Sequence, residues 1–264
     1  MSDLHCTLFQ TDIVWRNPEA NRSHYAKAFQ TLPGSCDLAV LPEMCMTGFD
    51  TVSNDFAEET DGESYAFFRE KAERHGTAIA AGLAIREKDK TYNRFLWTFP
   101  DRQQCHYDKQ HLFSMGGEPL LYTAGTTKPV ISYMGWNLLL QTCYDLRFPN
   151  SCRNRCRNVG LLYDILVIGA NWPAARNEAM QTLARARAIE NQAYVLLVNR
   201  TGTDGNGILY GGGSLIIDYK GEILADLPEN GEGFLSATLS LESLYDFREK
   251  FPVWHDWDEA DAQP

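Results

Sequence analysis

The sequence predicts an α/β fold in which helices cover mixed β-sheets. Three observations support this class: short apolar runs typical of buried strands alternate with helical segments, hairpin patterns recur, and the composition is that of an ordinary globular protein. The chain has 264 residues, of which 44% are hydrophobic and 22% are charged. This length suits one domain with a sizeable core, whereas the hairpins exclude a purely parallel, doubly wound sheet.

The first elements along the chain are a strand, a helix and a second strand. The run LHCTLFQTDI predicts the first strand. Pro18 begins a helix, because its ring suits the first helical turn, and Tyr25, Phe29 and Leu32 share one face through their spacing of four and three residues. Residues 36–43 are a nearly continuous apolar run, the pattern of a strand covered on both faces.

The next segment predicts a helix followed by a pair of strands. Residues 62–76 have helical periodicity, and Gly76 is a typical stop signal at the carboxyl end. Residues 77–87 and 91–100 are strand-like runs joined by the charged turn KDK.

The second half of the chain continues the alternation. Its predicted elements are a hairpin of 128–134 and 137–143 that turns at Met134-Gly135, a buried strand at 163–171, a helix at 177–192, a strand at 193–200 and a last hairpin within 211–227. No spacing indicates an internal repeat, and no change in composition marks a second domain.

Charge and cysteine usage narrow the possible partners and the compartment. The net charge of −11 argues against a broad surface for nucleic acid or anionic membranes. No apolar stretch has transmembrane length, and the amino terminus lacks the pattern of a signal peptide. Seven cysteines, an odd number at scattered positions, indicate reduced thiols in the cytoplasm.

Three residues form a candidate nucleophilic site. Cys143 follows an apolar run and precedes the charged turn YDLRFP, so it is placed at the end of a strand. A thiol at neutral pH needs a base or a cation beside it to become a nucleophile. Glu43, just past the strand at 36–43, is the candidate base, and Lys109, set among aromatic residues in HYDKQHLF, is the candidate cation. A remote histidine partner remains open, but no cysteine-protease signature is present.

These residues carry a family resemblance. Glu43 in LPEMCMTGF, Lys109 in YDKQHLF and Cys143 in QTCYDLRFP resemble the Glu–Lys–Cys triad of the nitrilase superfamily of carbon–nitrogen hydrolases, in matching order. Later segments are also similar, namely GANWP, RARAIENQAYVLLVNR and GGGSLIIDYKGEIL. The resemblance spans about residues 4–250, so it implies one hydrolase domain over 1–264 with a carboxyl-terminal segment at 251–264. The fold it implies is an α-β-β-α sandwich of two mixed sheets.

The resemblance also implies a mechanism without metal or cofactor. Glu43 would take the thiol proton, Cys143 would attack an amide carbonyl, and Lys109 with the backbone N–H of Tyr144 would stabilise the oxyanion. The segment HLFSMGGE is similar to the omega-amidase branch, in which Glu118 matches a second glutamate near the lysine. No second Cys/His pair lies at zinc-site spacing from Cys152 and Cys156, so no metal site is expected.

The omega-amidase branch implies the substrate and the oligomeric state. We expect hydrolysis of the terminal amide of 2-oxoglutaramate or 2-oxosuccinamate by a homodimer that pairs through the helix at 178–192 and the segment 244–257. An N-carbamoyl-amine or general aliphatic amidase on the same triad is the alternative, and a scaffold that has lost catalysis is a distant one. The expected substrate-binding residues are Arg147, Trp172 and Arg176. The alternative to substrate binding is a structural role, namely an ion pair with Asp145 for Arg147 and a core position for Trp172.

Overall fold

The computed structural model describes residues 3–156 and 160–257. Two large mixed sheets pack face to face, helices cover their outer faces, and a two-stranded ribbon lies beside them. This arrangement confirms the predicted α-β-β-α sandwich. No helix in the described ranges combines the length and the apolar character that a membrane crossing requires. Of the predicted carboxyl-terminal segment 251–264, residues 258–264 lie outside the described part.

The first sheet contains the amino-terminal half of the chain and one strand from its end. Its seven strands are β1 (Leu4–Gln10), β2 (Leu38–Val40), β3 (Glu58–Glu59), β4 (Ala78–Glu87), β5 (Lys90–Thr98), β6 (Gln104–Asp108) and β15 (Gly233–Leu239). Their order is β15-β1-β2-β4-β5-β6, with β3 paired to β4. β1, β2 and β4 run parallel, whereas β15, β5 and β6 are antiparallel to their neighbours.

The second sheet has a similar mixed pattern. Its six strands are β7 (Val130–Tyr133), β8 (Trp136–Thr142), β9 (Ile165–Ala170), β10 (Tyr194–Asn199), β13 (Leu215–Ile217) and β14 (Ile223–Asp226), in the order β14-β13-β10-β9-β8-β7. The central strands β8, β9 and β10 are parallel. The separate ribbon pairs β11 (Thr201–Thr203) with β12 (Leu209–Gly211).

Five helices are described, and α1 and α2 have termini that coincide with signals in the sequence. They are α1 (Pro18–Gln30), α2 (Glu63–His75), α3 (Pro149–Cys152), α4 (Asn177–Asn191) and α5 (Leu241–Lys250). Asn17 caps α1 by accepting a hydrogen bond from the backbone N–H of Ala20, with Pro18 at the first helical position. Gly76 ends α2 in the left-handed conformation, with a φ of 62°.

Three apolar layers hold the sandwich together. The central layer lies between the two sheets and includes Val40 and Trp97 from the first sheet and Leu140 and Val167 from the second. One outer layer packs α1 and α2 on the first sheet, and the other packs α4 on the second. Because parallel strands direct their carboxyl ends the same way, the ends of β2, β8 and β9 lie at one edge of the sandwich.

Three strands of the first sheet, the two-residue β3 together with β6 and β15, were not predicted by the sequence analysis. β6 is a polar segment at the edge of the sheet, and of its five residues only Tyr107 is buried. β15 pairs with β1 across more than 220 residues of chain. Edge strands with one wet face carry a weak apolar signal, and long-range pairing leaves no local signal at all.

Candidate active site

Glu43 lies just beyond β2 and is held against β4. The backbone N–H of Gly82 donates to the carbonyl of Pro42 (3.1 Å), and the N–H of Cys45 donates to the carbonyl of Gly82 (2.8 Å). A Cβ atom at Gly82 would stand 2.5 Å from the Cα of Glu43, so only glycine permits this approach. The carboxylate of Glu43 is therefore presented at a fixed depth and is fully shielded from solvent.

Lys109 follows the last residue of β6 and is fully buried between two carboxylates. Its Nζ lies 2.9 Å from Oε1 of Glu43 and 3.0 Å from Oε2 of Glu118. Burial alone would lower the pKa of Lys109, but the negative charges of Glu118 and Glu43 outweigh it and raise that pKa. The side chain is therefore a permanent ammonium ion at the site.

Glu118 comes from a pair of short 3₁₀ turns after Lys109. It is completely buried, and its Oε2 also accepts a hydrogen bond from the backbone N–H of Phe113 (2.5 Å). The sequence analysis expected it near Lys109, and the structure places it there, in contact with the lysine ammonium group.

Two asparagines that the sequence analysis did not single out complete this network. Nδ2 of Asn93, in β5, donates to Oε1 of Glu43 (2.7 Å) and to Oε1 of Glu118 (2.8 Å). Asn171, directly after β9, donates from its backbone N–H to Oε2 of Glu43 (2.8 Å) and from its side chain to the Glu43 carbonyl (2.5 Å). Oε1 of Glu43 thus accepts from two donors outside the second sheet, whereas Oε2 faces that sheet.

Cys143 follows the last residue of β8 and opens a 3₁₀ turn that ends at Arg147. Its φ of 45° is in the left-handed region, which is uncommon for a residue other than glycine and is found at functional turns. Its Sγ lies 3.8 Å from the backbone carbonyl of Asn171. The thiol is partly buried.

The surroundings of Cys143 set the charge of its thiol. Burial and the negative charge of Glu43 raise the pKa of Cys143 well above its usual value, and the positive charge of Lys109 opposes them. The resting side chain is therefore a neutral thiol, and a base must remove its proton at the moment of attack. Glu43 is a carboxylate next to that thiol.

Cys143 opens onto a cavity of about 310 Å³. Tyr144, Arg147, Trp172 and Arg176 all line it, as the sequence analysis expected. The other residues of its wall are Phe49, Thr51, Phe113, Met115, Gly116, Asn171, Pro173, Asn206, Ile208 and Tyr210.

The two arginines of this cavity are held by aromatic rings. The guanidinium carbon of Arg147 lies 4.6 Å from the ring centre of Trp172, and that of Arg176 lies 5.9 Å from the ring centre of Phe113. Among residues 3–156 and 160–257, neither arginine forms an ion pair. The alternative pair between Arg147 and Asp145 is therefore absent from the described contacts.

Trp172 is both buried and part of the cavity wall. Its backbone N–H donates to Oδ1 of Asn199 (2.8 Å), and its indole N–H donates to the carbonyl of Arg176 (2.9 Å). The position is fixed from both sides, so Trp172 gives the cavity a rigid face.

The structure thus gathers all the site residues that the sequence suggested. What the sequence did not indicate is the pair of asparagines that hold Glu43, namely Asn93 and Asn171. Their partners lie far away in sequence: Asn93 is 50 residues from Glu43, and Asn171 is 128 residues from it. Within the described residues, no group of three or more His, Cys, Asp or Glu side chains is arranged to hold a metal ion.

Comparisons with known proteins identify the family of the chain. The family model for carbon–nitrogen hydrolases matches residues 6–249. The chain is 43% identical over 259 residues to "Omega-amidase YafV" of Yersinia enterocolitica, covering 98% of both chains. It is 32% identical over 250 residues to "2-oxoglutaramate amidase" of Bacillus subtilis, covering 94% of this chain and 95% of the relative.

A solved structure has nearly the same fold. The protein XC1258 of Xanthomonas campestris, described as a CN-hydrolase superfamily protein with an arsenic adduct in its active site, superposes with a TM-score of 0.96. The two chains are 40% identical, and the match covers 98% of each.

Proposed function

The chain belongs to the carbon–nitrogen hydrolase family, and from that premise we propose that it is an omega-amidase that acts through Cys143 on short keto-acid amides. It is an enzyme that hydrolyses carbon–nitrogen bonds other than peptide bonds. The observation that supports this substrate class is the cavity in front of Cys143. Arg147 and Arg176 line it without ion-pair partners among the described residues, so they can bind an anionic group of the substrate.

In the acylation step, Glu43 acts as the general base. Its Oε1 accepts from both Lys109 and Asn93, whereas its Oε2 accepts from the backbone N–H of Asn171 and retains capacity for a second proton donor, so Oε2 takes the proton of the Cys143 thiol. Sγ then attacks the amide carbon and forms a tetrahedral intermediate. The protonated Glu43 returns the proton to the amide nitrogen, the carbon–nitrogen bond breaks, and ammonia leaves a thioester on Cys143.

The oxyanion of the intermediate needs donors that are already in place. Lys109 is a buried ammonium ion, and the backbone N–H of Tyr144 is near the start of a 3₁₀ turn, where it has no carbonyl partner within the turn. In the second half of the reaction, Glu43 removes a proton from water, which attacks the thioester and releases the acid. Cys143 regains its proton, so the cycle consumes only amide and water.

Removal of Lys109 should separate its electrostatic role from its structural one. We expect Lys109→Met to lower turnover about a hundredfold or more, because an oxyanion donor is lost. It should also destabilise the fold by about 3–5 kcal/mol, because Glu43 and Glu118 would be buried without their cation.

The double variant Lys109→Met, Glu118→Gln is the matched control for that prediction. It removes the charge of Glu118, one of the two carboxylates left without a cation. The melting temperature should therefore move back toward that of the wild type while turnover stays low. Recovery of turnover together with stability would show that Lys109 serves the fold and not the reaction.

The substrate proposal follows from the charge of the cavity. An omega-amide of a keto acid has a carboxylate at the end opposite its amide, and a desolvated carboxylate–arginine contact is much stronger than a surface ion pair. Because Lys109 is committed to Glu43 and Glu118, Arg147 and Arg176 are the candidates for this contact. The names of the relatives from Yersinia enterocolitica and Bacillus subtilis support the same substrate class.

Ammonia release from a panel of amides tests the substrate class. The panel contains 2-oxoglutaramate, 2-oxosuccinamate, an N-carbamoyl amino acid and a neutral short amide. We expect the wild type to prefer the two keto-acid amides. Arg147→Met or Arg176→Met should raise KM for them by about tenfold to a hundredfold and leave the neutral amide little affected.

Arg102→Met is the matched control, because Arg102 pairs with Glu73 and is not part of the cavity. It should leave KM unchanged for every amide. If the wild type prefers the neutral amide, or if neither cavity variant discriminates between the substrates, the general aliphatic amidase replaces the omega-amidase as the function.

We further propose that the whole chain acts as one hydrolase domain in a cytoplasmic homodimer. α4 and the segment 244–257 expose the apolar side chains Ile189, Tyr245 and Phe251, which suit a subunit contact. Light scattering checks this state, since a mass of 29.9 kDa in solution would mean a monomer.

The mechanism requires no metal, and activity should survive dialysis against EDTA.

A further inference from the structure

Asp145 is a buried carboxylate with four hydrogen-bond donors around it. Its Oδ2 accepts from the backbone N–H of Thr142 (3.0 Å) and from the hydroxyl of Tyr107 (2.7 Å). Its Oδ1 accepts from the backbone N–H of His111 (2.9 Å) and from Nδ1 of the same residue (2.8 Å). The carboxylate itself is inaccessible to solvent.

These four donors belong to the two chain segments that carry the lysine and the cysteine. Tyr107 lies in β6, two residues before Lys109, and His111 lies two residues after Lys109, beyond the end of that strand. Thr142 is the residue before Cys143, at the end of β8 in the second sheet. Asp145 therefore links Lys109 to Cys143 across the sandwich, as Asn171 links Glu43 to the second sheet.

A row of aromatic rings extends this link to the wall of the cavity. The imidazole of His111 stacks on Phe148, with ring centres 4.0 Å apart and planes at 14°. Phe148 meets Tyr144 edge to face at 5.0 Å, and Tyr144 meets Phe113 at 5.1 Å. The imidazole of His111, which Asp145 orients, is thus connected through Phe148 to Tyr144. In the proposed mechanism the backbone N–H of Tyr144 stabilises the oxyanion.

We propose that Asp145, with His111 as its partner, is a positioning residue that sets the distance between Lys109 and Cys143 during the reaction. It touches no reacting atom. It acts by fixing the left-handed turn at Cys143 from one side and the backbone around Lys109 from the other. This inference rests on the proposed role of Cys143 as the nucleophile.

The chemistry of the carboxylate explains why an amide cannot replace it. Each of the two carboxylate oxygens of Asp145 accepts two hydrogen bonds, so an ionised carboxylate satisfies all four donors. Asparagine has the same shape, but whichever way its amide is turned, the NH₂ group would face a backbone N–H, either that of Thr142 or that of His111. The hydrogen bond to that backbone N–H would then be lost, because two N–H donors cannot bond to each other. The contact of residue 145 with one of the two chain segments would be broken.

Asp145→Asn is the primary test. We expect kcat to fall about a hundredfold with KM changed little, because a displacement of about 1 Å in a catalytic group costs that much. The second measurement is the pH dependence of alkylation of Cys143 by iodoacetamide. Cys143 faces Glu43 and Lys109, and withdrawal of the ammonium ion should move alkylation to higher pH.

Variants at His111 keep the test decisive if Asp145→Asn does not fold. His111→Phe retains the stack on Phe148 but removes the side-chain hydrogen bond, and should lower kcat about tenfold and shift alkylation in the same direction. His111→Asn retains a donor near the position of Nδ1 and should recover most of that loss.

Three results would overturn the proposal. The first is that folded variants are alkylated with the same pH dependence as the wild type. The second is that KM rises while kcat is unchanged. The third is that the melting temperature falls without any change in kcat. If the wild type shows no alkylation at Cys143 at all, the failure lies with the proposed nucleophile and not with Asp145.

Discussion

Cys143→Ala is expected to abolish ammonia release, with turnover reduced on the order of 10⁵-fold or more, while the protein still folds. No other described group in the cavity can form the thioester, and the change removes only one sulfur atom from a partly buried position. Mass spectrometry of the wild type, quenched during turnover, should find an acyl group on the peptide that contains Cys143.

Cys105→Ser provides the control for this experiment. Cys105 is a partly buried thiol in β6, outside the cavity, so its replacement should leave ammonia release unchanged. An acyl group on Cys152 or Cys156, with Cys143 unmodified, would assign the nucleophile elsewhere.

Glu43→Gln is expected to produce the second largest effect, a loss of about 10³–10⁴-fold in kcat. The pKa of Cys143 is raised, so its proton stays on sulfur until a base removes it, and glutamine cannot act as that base. Both chemical steps should slow down, because the same carboxylate activates the thiol and the water. Rapid-quench measurement of the acyl-enzyme and of ammonia separates the two steps.

Glu118→Gln is the matched variant, since it removes the other carboxylate that contacts Lys109. It should retain far more turnover than Glu43→Gln, because Glu118 contacts Lys109, Asn93 and the backbone of Phe113 but has no described contact with Cys143. Equal losses in the two variants would mean that Glu43 contributes charge alone and that another group takes the proton.

The sequence predicted most of the larger elements and the residues that the structure brings together around Cys143. Buried strands such as 163–171 and 193–200 have dense β-branched and apolar runs, and the helix stop at Gly76 is a local signal that needs no tertiary context. Glu43 and Cys143 stand out because each comes at the end of an apolar run, and Lys109 stands out because it is set among aromatic residues.

The supporting residues could not be predicted in the same way. Asn93 lies inside a strand, and an isolated asparagine there is normally a weakness in the pattern. Its function becomes visible only when β5 is paired with its neighbours and the two glutamates converge on its amide. Asp145 likewise looked like a partner for Arg147, because that residue is near in sequence, whereas its actual partners are up to 38 residues away.

The pairing of β1 with β15 has a consequence for the synthesis of the enzyme. Leu4 pairs with Leu239 and Gln10 pairs with Gly233, so β1 has to wait for a strand that is synthesised more than 220 residues later. During that interval one edge of β1 has no partner, and an open edge is a template for association with other chains. β1 is also the neighbour of β2, which leads to Glu43. Glu43, the proposed general base, therefore gains the complete support of this sheet only after β15 has been translated.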